Sequence, residues 1–325
     1  MSRREFITLL AGVTLASPPV AFAQPSAMPV VGYLDVVSSP SRWAAFNQGL
    51  AESGYVVGQN VAVEIRSAEG RYSRFPELAA DLVRRRVSVI VAPGTTPAAL
   101  AARAATTTIP IVFGVGDDPV KLGLVASLAR PGGNATGINF FTAEVAAKRL
   151  GLLRELLPAA TRVAVLANPT DPIRLETIER DVKTAAAAIG LQFQIVNAST
   201  SRDIDAAFAA LAAARPDALF VGPDPFFYSR RGQLALQAAR HAIPASYAIR
   251  DYAEAGGLMS YGTNVTAAYH QVGVYAGRIL KGAKPADLPV QQSTKFELVI
   301  NLQAARTIGV DVPPQLLASA DDVIE

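Results

Sequence analysis

The feature that most constrains this chain is an alternation of short apolar runs with amphipathic stretches, kept up from Val30 to Tyr247. "VVGYL" (30–34), "VSVIVA" (87–92), "IPIVFGV" (109–115), "RVAVLAN" (162–168) and "DALFVG" (217–222) are too short for helices and too continuously apolar for half-wet strands. Between them lie helical patterns such as "RFPELAADLVRRR" (74–86), "PVKLGLVASLA" (119–129), "SRDIDAAFAALAAARP" (201–216) and "SRRGQLALQAARHA" (229–242). Strands buried on both faces and linked by helices make a parallel sheet with helices on either side.

The rhythm runs twice. Residues 75–113 and 204–247 both read helix, strand, Gly/Pro loop, helix, Ile-Pro, strand, with the Ile-Pro pairs at 109–110 and 243–244. Two similar lobes explain the echo. "GGNATGINFF" (132–141), "AGGLMSYGTN" (255–264) and "STKFELVIN" (293–301) are the places for the chain to cross between them. The expected fold class is therefore α/β, with two Rossmann-like doubly wound lobes and a three-strand hinge. Lobe one takes 29–138 plus 262–292, and lobe two takes 139–261 plus 293–325. Ligands of open α/β sheets bind beyond the carboxyl ends of the strands, so a cleft between facing lobes is the expected site.

The N-terminus has a different character. "MSRREF" precedes the apolar "ITLLAGVTLASPPVAFA", which ends small-x-small at Ala21-Phe22-Ala23. This is the pattern of a cleaved signal peptide over 1–23, too short and too broken by proline to span a bilayer. "SRREF" is similar to the twin-arginine export signal, although an ordinary secretory signal also accommodates two arginines. The mature chain is expected to begin near Gln24 and to work in the periplasm.

Composition narrows the chemistry. The 325 residues include no cysteine, which removes disulfides, thiolate metal sites and a cysteine nucleophile. The two histidines, His241 and His270, are far apart in sequence, so no metal site or cofactor is expected. The 30 basic residues are scattered and not interleaved with aromatics, which speaks against nucleic acid as a partner. No nucleophile elbow, zinc signature or P-loop is present.

Several stretches together carry a resemblance: "RREFITLL", "AFNQGLAESGYVVGQNV", "IPIVFGVGDDPVKLGLVASLARPGGNATG", "KRLGLLRELLP" and "TKFELVINLQAARTIGVDVPPQLLASADDVIE". Through them nearly the whole mature chain resembles the ABC-transporter substrate-binding proteins of the tryptophan/phenylalanine-binding type. That resemblance implies a type I periplasmic binding fold and a monomeric receptor. Such a receptor would hand a small amino-acid-like or aromatic solute to an inner-membrane ABC permease.

The loops that follow successive strands hold the candidate contacts. Ser38 and Ser39 offer hydroxyls or a plain helix cap. Gly94, Thr95 and Thr96 combine close backbone approach with hydroxyls at a helix start, and the resemblance implies small hydroxyl residues there. Asp118 precedes Pro119 and reads as a cap, while Asp117 is placed either to face the cleft or not. In the second half, Asn168, Thr170 and Asp171 mirror the Gly-Thr-Thr loop; the resemblance implies a serine there, which Asp171-Pro172 displaces. Asp224 can accept from an amine. Phe226, with Phe227 and Tyr228, offers either stacking surface or helix packing. Tyr247 and Tyr261 end strand-like runs and can line a cleft or fill a half-buried edge, and Trp43 is expected to pack. Two other functions share this pattern: a sensory receptor for a sensor kinase, and a cleft enzyme using Asp117 and Asp224 as paired carboxylates.

Overall fold

In a computed structural model, residues 28–36, 39–140 and 142–325 are described, apart from the side chains of 142–144 and 173. The signal-peptide pattern and Ser38 lie outside this set. The elements in chain order are β1 (Val30–Asp35), α1 (Pro40–Glu52), β2 (Ala62–Ser67), α2 (Phe75–Arg84), β3 (Val89–Ala92), α3 (Thr96–Ala105), β4 (Ile111–Val115) and β5 (Ala135–Asn139). Then come α4 (Thr142–Leu156), β6 (Arg162–Ala167), α5 (Pro172–Ala188), β7 (Gln192–Asn197), α6 (Ser201–Ala214), β8 (Ala218–Val221), α7 (Pro225–Ser229), α8 (Arg231–Arg240), β9 (Ala245–Tyr247) and α9 (Arg250–Glu254). The chain ends with β10 (Met259–Thr263), α10 (Val265–Leu280), β11 (Gln291–Gln292), β12 (Phe296–Asn301), α11 (Leu302–Ile308), α12 (Pro314–Ala318) and β13 (Asp322–Ile324).

Among the described residues the strands form two sheets, of order β11-β5-β4-β3-β1-β2 and β13-β12-β10-β9-β8-β6-β7. The first is parallel throughout. Leaving the end strands aside, each sheet repeats one order: second strand, first, third, fourth, fifth. Each thus has a switch point, between β1 and β3 and between β6 and β8. Side chains alternate across each sheet as the strand period requires. Val31, Val89 and Val91 pack under α1 and α10, while Leu34, Ile90 and Phe113 pack under α2 and α3. In α2, Phe75, Leu78, Ala79 and Leu82 make the buried stripe at helical spacing. Truncating Leu82, which is 0% exposed, is expected to cost about 2–5 kcal/mol.

The chain passes between the sheets after Asn139, after Thr263 and between Gln292 and Phe296. These three segments hold one another. Thr263 Oγ1 donates to the Phe140 carbonyl at 2.7 Å, Ser293 N to the Asn139 carbonyl at 2.8 Å, and Asn264 N to the Lys295 carbonyl at 2.9 Å.

Three elements depart from the expected pattern. Residues 119–129 form turns instead of a helix. Asp118 Oδ1 accepts from Val120 N and Lys121 N, Gly123 takes φ +69°, and Leu124 and Val125 drop into the core. The stretch 229–242 is preceded by its own short helix, α7, capped by Asp224. Strand β12 runs antiparallel to β10, so the second sheet is mixed.

Candidate solute-binding site

Both switch points open onto one cavity of about 160 Å³. Lobe one, built on the first sheet, supplies Asp35 at the end of β1, Arg42 on α1, Gly94-Thr95-Thr96 after β3, and Tyr269 on α10. Lobe two, built on the second, supplies Arg149 on α4, Arg174 on α5, Asp224 and Tyr228 after β8, and Tyr252 on α9. Phe140 and Thr263, from the crossing segments, also line it.

Asp224 is only 5% exposed. Its Oδ1 accepts from Phe226 N at 2.8 Å, Phe227 N at 3.2 Å and Asn168 Nδ2 at 3.2 Å. Its Oδ2 is buried with no hydrogen-bond partner among the described residues. Burial raises its pKa above the usual carboxylate value, an effect that Arg174, Asn168 and the two amides oppose.

Two arginines bridge the lobes. Arg42 Nη2 lies 3.3 Å from Asp251 Oδ2, and its guanidinium stands 4.1 Å from the centroid of the Tyr228 ring. The Tyr228 hydroxyl donates to the same Asp251 oxygen at 2.6 Å. Arg174 Nη2 lies 3.7 Å from Asp117 Oδ2, which accepts from Thr96 Oγ1 at 2.5 Å, and Arg174 Nε reaches Asp171 at 3.3 Å. Burial works against the Arg174 charge, but Asp117, Asp224 and Asp171 outweigh it and hold its pKa above the ordinary value.

Of the residues singled out from sequence, Gly94, Thr95, Thr96, Asp224 and Tyr228 line the cavity. Thr95 also caps α3, accepting from Ala98 N at 3.3 Å. Asp117, Asn168 and Asp171 stand one layer back, holding Thr96, Asp224 and Arg174. The rest are directed elsewhere. Ser39 meets Ser41 at 3.2 Å, and Asp118 is an exposed turn cap. Thr170 donates to Asn168 Oδ1 at 2.8 Å. Phe226 packs on Phe227, its ring centroid 5.6 Å away. Tyr247 is fully buried, stacked on Tyr252 at 4.7 Å, because its strand turns it toward the helices and not the cleft. Tyr261 stacks on Phe296 at 6.1 Å in the opposite layer. Trp43 packs against Tyr33 and Phe46, as expected.

The family model for ABC transporter substrate binding proteins matches residues 31–324. The chain belongs to that family. As a substrate-binding protein of an ABC transporter it falls among non-catalytic proteins that bind small-molecule solutes and interact with ABC permeases. It is similar to a tyrosine-binding protein of Clostridioides difficile, with 27% identity over 86% of this chain and 81% of the relative. A Streptococcus pneumonia ABC domain solved in complex with L-Trp is 26% identical over 91% of this chain and 99% of its own, with a TM-score of 0.81. A ligand-free, open substrate binding protein from Clostridium difficile has 25% identity and the same coverage, but a TM-score of 0.67.

In this substrate-binding protein the residues that sequence reasoning missed are Arg42, Arg149, Arg174, Tyr252 and Tyr269. A signal existed for two of them. "SPSR" (39–42) and "DPIR" (171–174) each place an arginine third in a helix whose first residue is proline. The helix dipole disfavours a cation there, so a residue of that charge needs another reason to be present.

Proposed function

We propose that this substrate-binding protein is the exported, periplasmic receptor of an ABC importer, and that its solute is an aromatic α-amino acid held between the lobes. The observation that carries this reading is the buried, unpartnered Asp224 Oδ2 in a cavity also lined by Phe140, Tyr228, Tyr252 and Tyr269. An unpaired buried carboxylate oxygen is costly, and a solute ammonium relieves that cost. The rings offer the offset-stacked and edge-to-face contacts that aromatic solutes favour. What the two relatives named for tyrosine and L-Trp bind supports the same class.

The cross-lobe pairs of Arg42 and Arg174, and the better superposition on the L-Trp complex than on the open relative, support reading the arrangement as the closed form. In this reading the lobes part to admit the solute and close on it, because the solute bridges both and shifts the population. The receptor acts as a monomer, leaves its solute chemically unchanged and engages no nucleic acid.

The test is a thermal-unfolding and calorimetric screen of the mature chain against the twenty amino acids and their aromatic derivatives. A cognate solute at about 100 times its Kd adds about 2.7 kcal/mol to stability. Small-angle scattering should report a smaller radius of gyration in its presence. Stabilisation by sugars or polyols and by no amino acid would overturn the reading.

A further inference from the structure

Three guanidinium groups line the cavity, and two of them have carboxylates. Arg42 has Asp251, and Arg174 has Asp171 and Asp117. Arg149 has none among the described residues. Its Nη2 donates to the Val221 carbonyl at 2.9 Å and the Ser246 carbonyl at 2.6 Å, and its Nε to Ser246 Oγ at 3.5 Å. Its Nη1 has no hydrogen-bond partner among the described residues. The side chain is 1% exposed and lies 3.9 Å from the centroid of the Phe220 ring.

Carbonyl dipoles solvate such a cation without neutralising it. Burial pushes the guanidinium down to about 9, so it stays protonated at neutral pH. A buried charge of this kind calls for an anion. Val145 and Arg149 lie one turn apart on α4 and both line the cavity. Asp224 has the opposite deficit, an oxygen with no donor. Tyr252 lines the same cavity as both charged groups.

We propose that Arg149 receives the solute's carboxylate through its unengaged Nη1 while Asp224 Oδ2 takes the ammonium, so that lobe two holds both charged ends of the zwitterion. This rests on the reading of the cleft as an amino-acid site. A purely structural pin between the ends of β8 and β9 would use Nη2 and Nε and leave Nη1 without a task.

The test compares three solute sets on the full mature chain by calorimetry: L-tyrosine, L-phenylalanine and L-tryptophan; the amines that lack their carboxylate; and the acids that lack their ammonium. The variants are Arg149→Met and Arg149→Lys, with circular dichroism as the check on folding. In the parent chain the amino acid should bind at least about 100-fold more tightly than its amine. In Arg149→Met that ratio should fall below about 10-fold with amine affinity unchanged, and Arg149→Lys should recover part of it. If Arg149→Met does not fold, the ratio in Arg149→Lys against the parent decides, a reduced ratio supporting the proposal and an unchanged one overturning it. Parallel loss of amine and amino acid, or an unchanged ratio, makes Arg149 a structural pin and overturns the proposal. Binding of the acids but not the amino acids would end the amino-acid reading alone, with Arg149 upheld if Arg149→Met abolishes acid binding and overturned if it does not. If no carboxylate-bearing compound binds, both fall.

Discussion

Arg42 and Arg174 hold the same place in the two halves of the molecule, and each reaches an aspartate of the other half. Both are third in the helix that follows the first strand of their sheet, and both follow a proline at the helix start. Arg42 of lobe one meets Asp251 of lobe two, and Arg174 of lobe two meets Asp117 of lobe one. The internal duplication thus places two reciprocal ion pairs across one cleft.

These pairs exist only when the lobes are together, so removing one should favour the open form. Arg42→Ala loses a part-buried ion pair and the contact with Tyr228, together about 1–2 kcal/mol. We expect roughly tenfold weaker solute binding, mostly through faster dissociation, with little change in the stability of each lobe. Stopped-flow fluorescence gives the dissociation rate, and an unchanged rate would remove Arg42 from the closing contacts.

Asp224→Asn keeps a good helix cap for α7 but removes the negative charge. Binding of an amino acid should weaken by about 100-fold while folding survives. The pH dependence has a definite sign. The free protein keeps a proton on Asp224 to higher pH than an exposed aspartate does, because burial raises its pKa. An ammonium on Oδ2 favours the ionised form, so binding expels that proton and affinity falls as pH drops through the raised value. For folding, the same shift contributes stability that is present in acid and lost as pH rises through the folded-state pKa. Titration calorimetry across pH on both chains tests this, and a profile unaltered by the substitution would refute it.

Two glycines permit close approaches that no side chain can share. A Cβ on Gly94 would stand 2.5 Å from the Tyr269 hydroxyl, and Tyr269 is 1% exposed. Gly94→Ala should displace that ring, which neighbours Arg42 at 5.6 Å, and weaken binding more than it weakens the fold. A Cβ on Gly262 would stand 1.9 Å from the Ala248 carbonyl oxygen, where only backbone can yield. Gly262→Ala should cost about 1–3 kcal/mol, read as a lower midpoint in chemical denaturation.

Export has its own measurement. Intact mass spectrometry of chain recovered from the periplasm should give an N-terminus near Gln24. Recovery of the uncleaved chain from the cytoplasm alone would contradict the signal reading of residues 1–23.

Sequence by itself determined the layered α/β architecture, because a run such as "VIVA" between amphipathic helices has few ways to hide both faces. It also determined which loops surround the site, since loops after parallel strands gather at one edge of a sheet. Gly94, Thr95, Thr96 and Asp224 were legible for that reason. Which side chains enter the cavity was decided by tertiary structure. Tyr247 ends its strand as expected, but Tyr261 lies in the middle of β10, and the pleat turns both away from the cleft, while Tyr252 and Tyr269 reach it from helices distant in sequence. The ionic pairing was equally hidden. Whether Arg149 or Arg42 meets a carboxylate depends on residues many positions away, brought near only when both sheets have formed and the lobes face each other.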